Sequence, residues 1–359
     1  MAFIPKSSSQ RTQSIEPQKQ APLDKWKLSS QLQKAIRHGK EKEAVWAAEK
    51  LNELDPSYLR YRLAVISVED IGAGSPDVVL EHLEPGWKKA EVEARGGFPV
   101  VLETVRQFVL ARKDRTPCDM MYATRFLDEC TKIHGPLEKM PWEKACAVAF
   151  DENEAWYARS LAAWRCAGTD ARTPRTKILS EFPGNWEKWV EANKDQYGEK
   201  ASRLMRVGEF QREHHHTFIG LALGANSQKD ATDASDKIPS LPNIGPWLSA
   251  AIDKHTADGA KALDYLLNAS IDGAQVLSSF GLSQAEQKDL LGRLWFWREG
   301  SLCDRKKMNN LASVIHPDNQ KKALGPVPLE TLDKYFGDQT LWQKAREKAV
   351  LLQKTSFRP

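Results

Sequence analysis

The 359-residue sequence predicts an all-α protein, a multi-helix bundle of helical hairpins with a second, smaller helical domain. Apolar residues recur at helical spacing from Pro22 onwards. No segment shows sustained alternation of β-branched residues, so a sheet is poorly supported. The first three amphipathic stretches are separated by short turns, which predicts that these helices lie antiparallel to one another.

The first helix is predicted from one apolar stripe and the second helix from another, with a stop at His38-Gly39 between them. Asp55-Pro56-Ser57 is a turn in which Asp55 or Ser57 can cap the third helix. The stripe residues are, in order, Leu28, Leu32, Ala35 and Ile36; Ala44, Ala47, Ala48, Leu51 and Leu54; and Leu59, Leu63 and Ile66.

Further helices are predicted from a stripe at Val101–Val109 and from the composition of residues 118–132 and 141–166. Residues 224–243 are polar and turn-forming, which predicts a linker between a helical domain at 23–223 and a C-terminal helical domain at 244–359. In the latter, Ala262, Leu263, Leu266 and Leu267 mark one helix, and Leu290, Leu294 and Trp297 another.

Composition limits the function classes. Hydrophobic residues make up 41% of the chain and charged residues 28%, as in soluble globular proteins. Residues 1–22 are polar and weakly basic, which predicts a disordered tail without the apolar core of a secretory signal. No apolar run approaches a membrane span. We therefore expect a cytoplasmic protein with no membrane contact.

The net charge of +4 permits nucleic-acid contact without arguing for it. The five cysteines include no CxxC pair, so reduced thiols are expected in place of a disulfide framework or a zinc site. We predict no metal and no cofactor.

The segment Glu69-Asp70-Ile71-Gly72-Ala73-Gly74 raises the question of a phosphate-binding loop. A phosphate loop requires GxxxxGK[ST], which the sequence does not contain. We predict instead that Gly72 ends a helix in the left-handed conformation. Glu69 and Asp70 would lie at a helix C-terminus, where the macrodipole disfavours them. They therefore require a cationic partner, either Arg60 or Arg62 or a basic residue of another chain.

Two further stretches contain candidate catalytic groups. Glu213-His214-His215-His216 is the only dense histidine run, but successive helical residues splay apart and there is no HExxH. Asp253 and His255 together could serve acid–base chemistry. Thr256 and Asp258 in the same stretch are equally consistent with the start of a helix.

Residues 34–77, KAIRHGKEKEAVWAAEKLNELDPSYLRYRLAVISVEDIGAGSPD, resemble the helical C-terminal region of the replication-associated recombination protein A (RarA/MgsA) family of AAA+ ATPases. The similar features are a K-x-I-R segment, an acidic and alanine-rich helix with an aromatic residue, a Pro-Tyr turn with arginines, and an E-D-[IV]-G segment before a small-residue-Pro turn. Here these are Lys34–Arg37, Ala44–Ala48, Pro56–Arg62 and Ser67–Pro76.

The resemblance implies an oligomerisation region linked to stalled replication forks, DNA ends and single-strand-binding protein. The sequence has no Walker A motif, so ATPase activity is not expected. Our main hypothesis is a non-enzymatic oligomerisation or interaction protein of DNA replication, recombination or repair. Its partners would be a second copy, a replication ATPase, single-strand-binding protein or DNA, contacted through Arg37, Lys40, Arg60 and Arg62.

Two alternatives remain open from the sequence. One is a metal- or His-dependent nuclease or hydrolase that uses Asp253, His255 or the histidine run. The other is a DNA-binding module of a bacteriophage or mobile element, whose affinity would fall with salt.

Overall fold

The computed structural model describes residues 24–151, 153–166, 194–209, 215–223 and 231–356. These residues form an all-α array of helices with one short two-stranded sheet, and the predicted fold class is confirmed. The predicted tail at 1–22 lies outside the described residues. In these ranges no helix combines the length and the apolar character that crossing a membrane requires.

The N-terminal half of the described chain contains twelve helices. They are α1 (Lys25–Arg37), α2 (Glu41–Leu54), α3 (Pro56–Ile66), α4 (Pro76–Leu83), α5 (Lys89–Ala94), α6 (Phe98–Leu110), α7 (Thr116–Phe126), α8 (Asp128–Glu138), α9 (Trp142–Phe150), α10 (Trp156–Cys166), α11 (Lys194–Glu209) and α12 (His215–Leu223). Residues 118–132 and 141–166 thus each span two helices, because the backbone is extended at Leu127 and at Asp151.

Six more helices follow in the C-terminal part. They are α13 (Ala257–Ala269), α14 (Ile271–Ser279), α15 (Gln284–Trp295), α16 (Asn310–Leu324), α17 (Leu329–Phe336) and α18 (Gln339–Ser356). Two single π-helical turns, Ser67–Ile71 and Phe296–Gly300, continue α3 and α15, and Ser249–Ala251 is a 3-10 turn.

The short sheet is not predicted by the sequence pattern. β1 (Thr232–Ala234) lies within the predicted linker and pairs antiparallel with β2 (Lys306–Met308), with Thr232 opposite Met308. Lys113 joins the outer side of β2, where its amide donates to Arg305 O at 2.9 Å and its carbonyl accepts from Lys307 N at 2.8 Å. These strands are too short to give an alternating pattern in the sequence.

Polar side chains cap the helices at the positions expected from the sequence. Asp55 accepts a hydrogen bond from Tyr58 N at 2.9 Å, with Pro56 as the first residue of α3. Thr256 accepts from Gly259 N at 3.0 Å at the start of α13. Such a side chain satisfies an amide that has no partner within the helix. These contacts confirm the helix starts predicted at Asp55 and Thr256.

Two hydrophobic clusters form the core. The first contains the predicted stripes of α1, α2, α3 and α6, with the exception of Leu54, which is exposed. It also takes in apolar side chains from beyond the predicted linker: Ile244, Trp247, Leu248, Ala251, Ile252, Ile315 and Val350. The second cluster is built from α13 to α18 and contains Ala262, Leu263, Leu266, Leu267, Leu290 and Leu294.

Helix α1 is enclosed by the rest of the protein, because every residue from Lys27 to Arg37 is buried. Its apolar face packs in the first cluster, and its polar residues find partners on segments distant in sequence. Gln31 Oε1 accepts from Leu248 N at 2.9 Å, and Lys27 and Lys34 form ion pairs with Asp258 and Asp253. A buried polar group is costly unless it is hydrogen-bonded, so these partners fix α1 in one position.

Gly74 allows two backbone segments to approach closely. A Cβ atom on Gly74 would lie 2.5 Å from the carbonyl oxygen of Arg112 and 2.8 Å from the carbonyl carbon of Lys113. Ser75 Oγ accepts from Arg112 N at 2.8 Å in the same contact. The glycine therefore serves the packing of the chain after the π-helical turn against the segment that joins α6 to α7.

We predict that Gly74→Ala lowers the free energy of unfolding by about 2 kcal/mol, because the added methyl group has no space. Gly135→Ala in α8 is the matched control, since nothing lies within 4 Å of a Cβ placed there. The control should cost no more than about 1 kcal/mol, since the strain of placing alanine before Pro136 in a helix is partly offset by the higher helix propensity of alanine. Urea unfolding of both variants measures this, and an equal effect of the two substitutions would contradict the close approach.

Candidate functional site

Asp70 lies at the centre of a buried ion cluster, and its side chain is fully buried. Its Oδ1 accepts from Arg37 Nε at 2.7 Å and from Arg115 Nη1 at 2.8 Å. Its Oδ2 accepts from Gln33 Nε2 at 2.8 Å, and its backbone carbonyl accepts from Asp114 N at 2.9 Å. A buried carboxylate is stable only with such partners.

Arg37 connects the end of α1 to both π-helical turns. Its Nε binds Asp70 in the first turn, and its Nη1 donates to the carbonyl of Gly300 in the second turn at 2.7 Å. The neighbouring His38 contacts the second turn as well, through Nε2 and the carbonyl of Glu299 at 3.0 Å. One end of α1 thus joins the π-helical turn after α3 to the one after α15.

Glu69 forms the outer, half-buried side of this cluster. Its Oε2 accepts from Gln33 Nε2 at 2.9 Å, and its Oε1 lies 3.4 Å from Arg37 Nη2. The Cys118 thiol donates to Glu69 Oε1 at 3.6 Å and accepts from Arg115 Nη2 at 3.2 Å. The cluster thus pairs two carboxylates with two guanidinium groups.

The predicted ion pair of the acidic residues exists, but the arginines named for Asp70 are wrong. Arg37 and Arg115 bind Asp70, whereas Arg60 donates to Ser57 Oγ at 3.2 Å. Arg62 reaches the cluster by donating to Gln33 Oε1 at 2.9 Å. The α1 and α7 regions are distant from Asp70 in sequence, so local spacing does not reveal them.

Two more predictions at this segment are corrected by the structure. Gly72 is not a left-handed cap: its φ is −43° and its ψ is −59°, which continue the right-handed turn. Arg37 does not face a partner, because only 2% of its side chain is exposed. Of the other residues predicted to contact a partner, Lys40 is exposed, and Arg60 and Arg62 are half-buried.

Burial also determines the protonation of His38. Removal from solvent, together with the nearby positive charges of Arg37 and Lys34, lowers the pKa of His38 to about 4. The imidazole is therefore neutral at physiological pH, and Nε2 carries the proton that is donated to the Glu299 carbonyl. This neutral histidine adds no further positive charge beside Arg37.

The second candidate stretch is built around Asp253, whose carboxylate holds three groups. Oδ2 forms the ion pair with Lys34 and accepts from Ser30 Oγ at 3.1 Å, and Oδ1 accepts from His255 N at 3.0 Å. Burial raises the pKa of Asp253, but the charge and hydrogen bond of Lys34, together with His255, lower it below its ordinary value. His255 reaches the carboxylate through its backbone amide, and its side chain is exposed.

A small cleft of about 10 Å³, roughly the room that one water molecule needs, lies beside Asp253. Lys254, Trp295, Trp342 and Arg346 are among the residues that line it. Arg346 donates to Glu299 Oε2 at 2.7 Å and to the carbonyl of Ile252 at 3.0 Å. The charged groups of the cleft are thus committed to internal ion pairs.

The predicted histidine run, residues 213–216, has no described side chains. Residues 213 and 214 lie outside the described residues, and residues 215 and 216 begin α12 with side chains that are also outside them. Over the described ranges, no group of three or more His, Cys, Asp and Glu side chains is placed to hold a metal ion.

An exposed aromatic surface, which we call the Trp26 surface, is formed by Lys25, Trp26, Tyr58 and Tyr61. The ring of Tyr58 lies 6.0 Å from that of Trp26 and 6.2 Å from that of Tyr61. Lys25 Nζ lies 4.7 Å from the centre of the Tyr58 ring. Trp26 is 63% exposed and Tyr61 is 41% exposed. Aromatic side chains with polar tips are typical of binding surfaces.

This surface is not predicted from the sequence, although the sequence contains two signals for it. Trp26 falls off the apolar stripe of α1, and Tyr58 and Tyr61 fall three residues apart in α3, so they share a face. Residue spacing within each helix does not predict the contact between α1 and α3, and it is this contact that brings the three rings together.

The comparisons with known proteins add no further information: the chain matches no family model, no curated protein and no solved structure.

We predict that Asp70→Asn lowers the free energy of unfolding by about 3 kcal/mol or more, because Arg37 and Arg115 would keep buried charges without a carboxylate. Glu69→Gln is the matched control, since it removes the same charge from the adjacent, half-exposed position. Its cost should stay below about 1 kcal/mol. Urea unfolding at neutral pH compares the two variants, and similar losses would show that Asp70 has no special role.

Proposed function

We propose that this chain is a non-enzymatic interaction protein of DNA replication, recombination or repair, and that the Trp26 surface binds single-stranded DNA. The observation that carries the proposal is the group of rings at Trp26, Tyr58 and Tyr61, with ring centres 6.0 and 6.2 Å apart, in which Trp26 and Tyr61 are exposed and Tyr58 is half-buried. The class of process comes from the resemblance of residues 34–77 to the RarA/MgsA helical region.

The chemistry of the surface supports a nucleic-acid partner. Every base has a π face, so exposed aromatic side chains bind single strands with little sequence preference. Lys25 supplies a cation beside the rings, whereas Arg60 lies about 200° around α3 from Tyr58 and flanks the surface. Cations at such positions contact phosphate groups, whereas the aromatic rings take up the bases.

The Trp26 surface carries little net positive charge, so electrostatic attraction should contribute only a small part of the affinity for DNA. Asp55 lies 3.5 Å from Lys25 Nζ and partly neutralises it. Most of the affinity should therefore come from stacking, with two cations contributing. For contacts to two phosphates of a single strand, the slope of log K against log salt is roughly −1.4.

Self-association and binding to a replication ATPase or to single-strand-binding protein are further partner interactions that the resemblance implies. These interactions are part of the same proposal, but their only support is the resemblance of residues 34–77 to the RarA/MgsA helical region. Lys40 is the one exposed residue among the four predicted to contact a partner. Light scattering on the intact chain reports self-association independently of DNA binding.

A nuclease or hydrolase that uses Asp253 and His255 is the second candidate, and the cleft beside Asp253 is the observation in its favour. We rank it lower because Asp253 Oδ2 already forms an ion pair with Lys34 and accepts a hydrogen bond from Ser30, so this oxygen is not available to a substrate. Cleavage assays with His255→Ala separate this candidate from the first: loss of a nuclease activity in this variant would favour the enzyme.

We predict that Trp26→Ala and Tyr61→Ala each weaken binding of a labelled oligothymidine of about 15 nucleotides by roughly tenfold, because each removes one stacking ring. Fluorescence anisotropy measures the binding. Phe280→Ala is the matched control, since Phe280 is 39% exposed and lies in the C-terminal part of the chain.

The control should bind as the unaltered chain does. Absence of binding to the oligonucleotide, or equal affinity of Trp26→Ala and Phe280→Ala, would contradict the proposal. A salt slope far steeper than that for two phosphates would place the DNA on a different, more basic surface.

A further inference from the structure

Two cysteine thiols lie next to each other between α9 and α10. Cys146 Sγ and Cys166 Sγ are 3.3 Å apart, and neither is in a disulfide. Cys146 is half-buried, and Cys166 is buried at the last position of α10. A disulfide needs a sulfur–sulfur distance near 2.05 Å, so a movement of little more than 1 Å would join them.

The fold holds the two residues in this arrangement. Trp142 and Cys146 lie one turn apart on the same face of α9, and Trp142 Nε1 donates to the carbonyl of Cys166 at 3.1 Å. The Cys166 thiol in turn lies 3.9 Å from the carbonyl of Trp142. Helices α9 and α10 pack directly against each other. The proximity of the sulfurs is therefore fixed by helix packing and by a backbone contact.

The other three cysteines are poorly suited to oxidation. Burial raises the pKa of Cys130 and of Cys303 to about 12, and it also raises the pKa of Cys118. The thiolate is the reactive form of cysteine, so these three remain protonated and inert at neutral pH. Oxidation of the folded chain should therefore begin at Cys146, which solvent reaches, and involve Cys166 because its sulfur is adjacent.

We propose that Cys146 and Cys166 form a reversible disulfide when the protein meets a hydroperoxide. The Cys146 thiolate attacks the O–O bond of the peroxide, which takes up two electrons; Cys146 becomes a sulfenic acid, and hydroxide or alkoxide leaves. The Cys166 sulfur then attacks the Cys146 sulfur, its proton passes to the departing hydroxide, and water is released with formation of the S–S bond. Two thiols are oxidised and one peroxide is reduced.

Cys146 is assigned the first step because solvent reaches it, whereas Cys166 is buried. The product would covalently join α9 to the end of α10. A thiol reductant reverses the reaction, as expected for a disulfide in a reducing compartment. This inference is independent of the proposed DNA binding, since it uses neither the Trp26 surface nor the ion cluster around Asp70.

The test is peroxide treatment of the intact chain, followed by alkylation in denaturant and peptide mapping. We expect the five thiols of the sequence to fall to three, and dithiothreitol to restore all five. Trypsin should release the peptide 145–159 linked to the peptide 166–172. Five remaining thiols, or a linkage that involves Cys118, Cys130 or Cys303, would overturn the proposal.

Two serine variants assign the order of the steps. In Cys166→Ser the sulfenic acid cannot be resolved, so dimedone should label Cys146 after peroxide treatment. In Cys146→Ser the buried Cys166 should resist labelling. Labelling of Cys166 in Cys146→Ser together with an unlabelled Cys146 in Cys166→Ser would contradict the assigned order. Near-identical circular dichroism of both variants and the unaltered chain confirms that they are folded.

Discussion

The buried carboxylate of Asp70 is the constraint on which the rest of this structure depends. An ionised carboxylate away from water is stable only if cations and hydrogen-bond donors surround it. Here Arg37, Arg115 and Gln33 do so, and they come from α1 and from the start of α7. The need to satisfy one charge therefore brings three parts of the chain to a single point.

Helix α1 connects the Asp70 cluster to several other segments of the protein. It is buried on all sides, yet it carries lysine, serine and glutamine residues as well as an apolar stripe. Several of these polar side chains meet partners on distant segments: Lys27 meets Asp258, Lys34 meets Asp253, and Arg37 meets both π-helical turns. Apolar packing alone tolerates small rotations of a helix. Specific ion pairs of this kind fix its rotation and its position along its axis.

The sequence predicts the all-α class and the stripes of α1, α2, α3, α6, α13 and α15 because helical periodicity is a local property. The caps at Asp55 and Thr256 are local as well, since each bonds an amide only three residues away. Arg37 and Arg115, which bind Asp70, lie 33 and 45 residues away from it in the sequence. Helical spacing relates only residues a few positions apart, so it cannot predict these contacts. The usual preference of glycine for helix ends predicts a left-handed Gly72, but a π-helical turn continues the right-handed backbone there.

Because the ion pairs of α1 join it to the Asp70 cluster and to distant segments, we expect α1 to open only when the whole protein unfolds. Native-state hydrogen exchange of the amides of residues 28–37 tests this most directly. The opening free energies of these amides should equal the global free energy of unfolding, and no amide of α13 should be more protected. If α1 exchanges through local opening while α13 stays protected, then α1 is a peripheral helix and the account of its role is wrong.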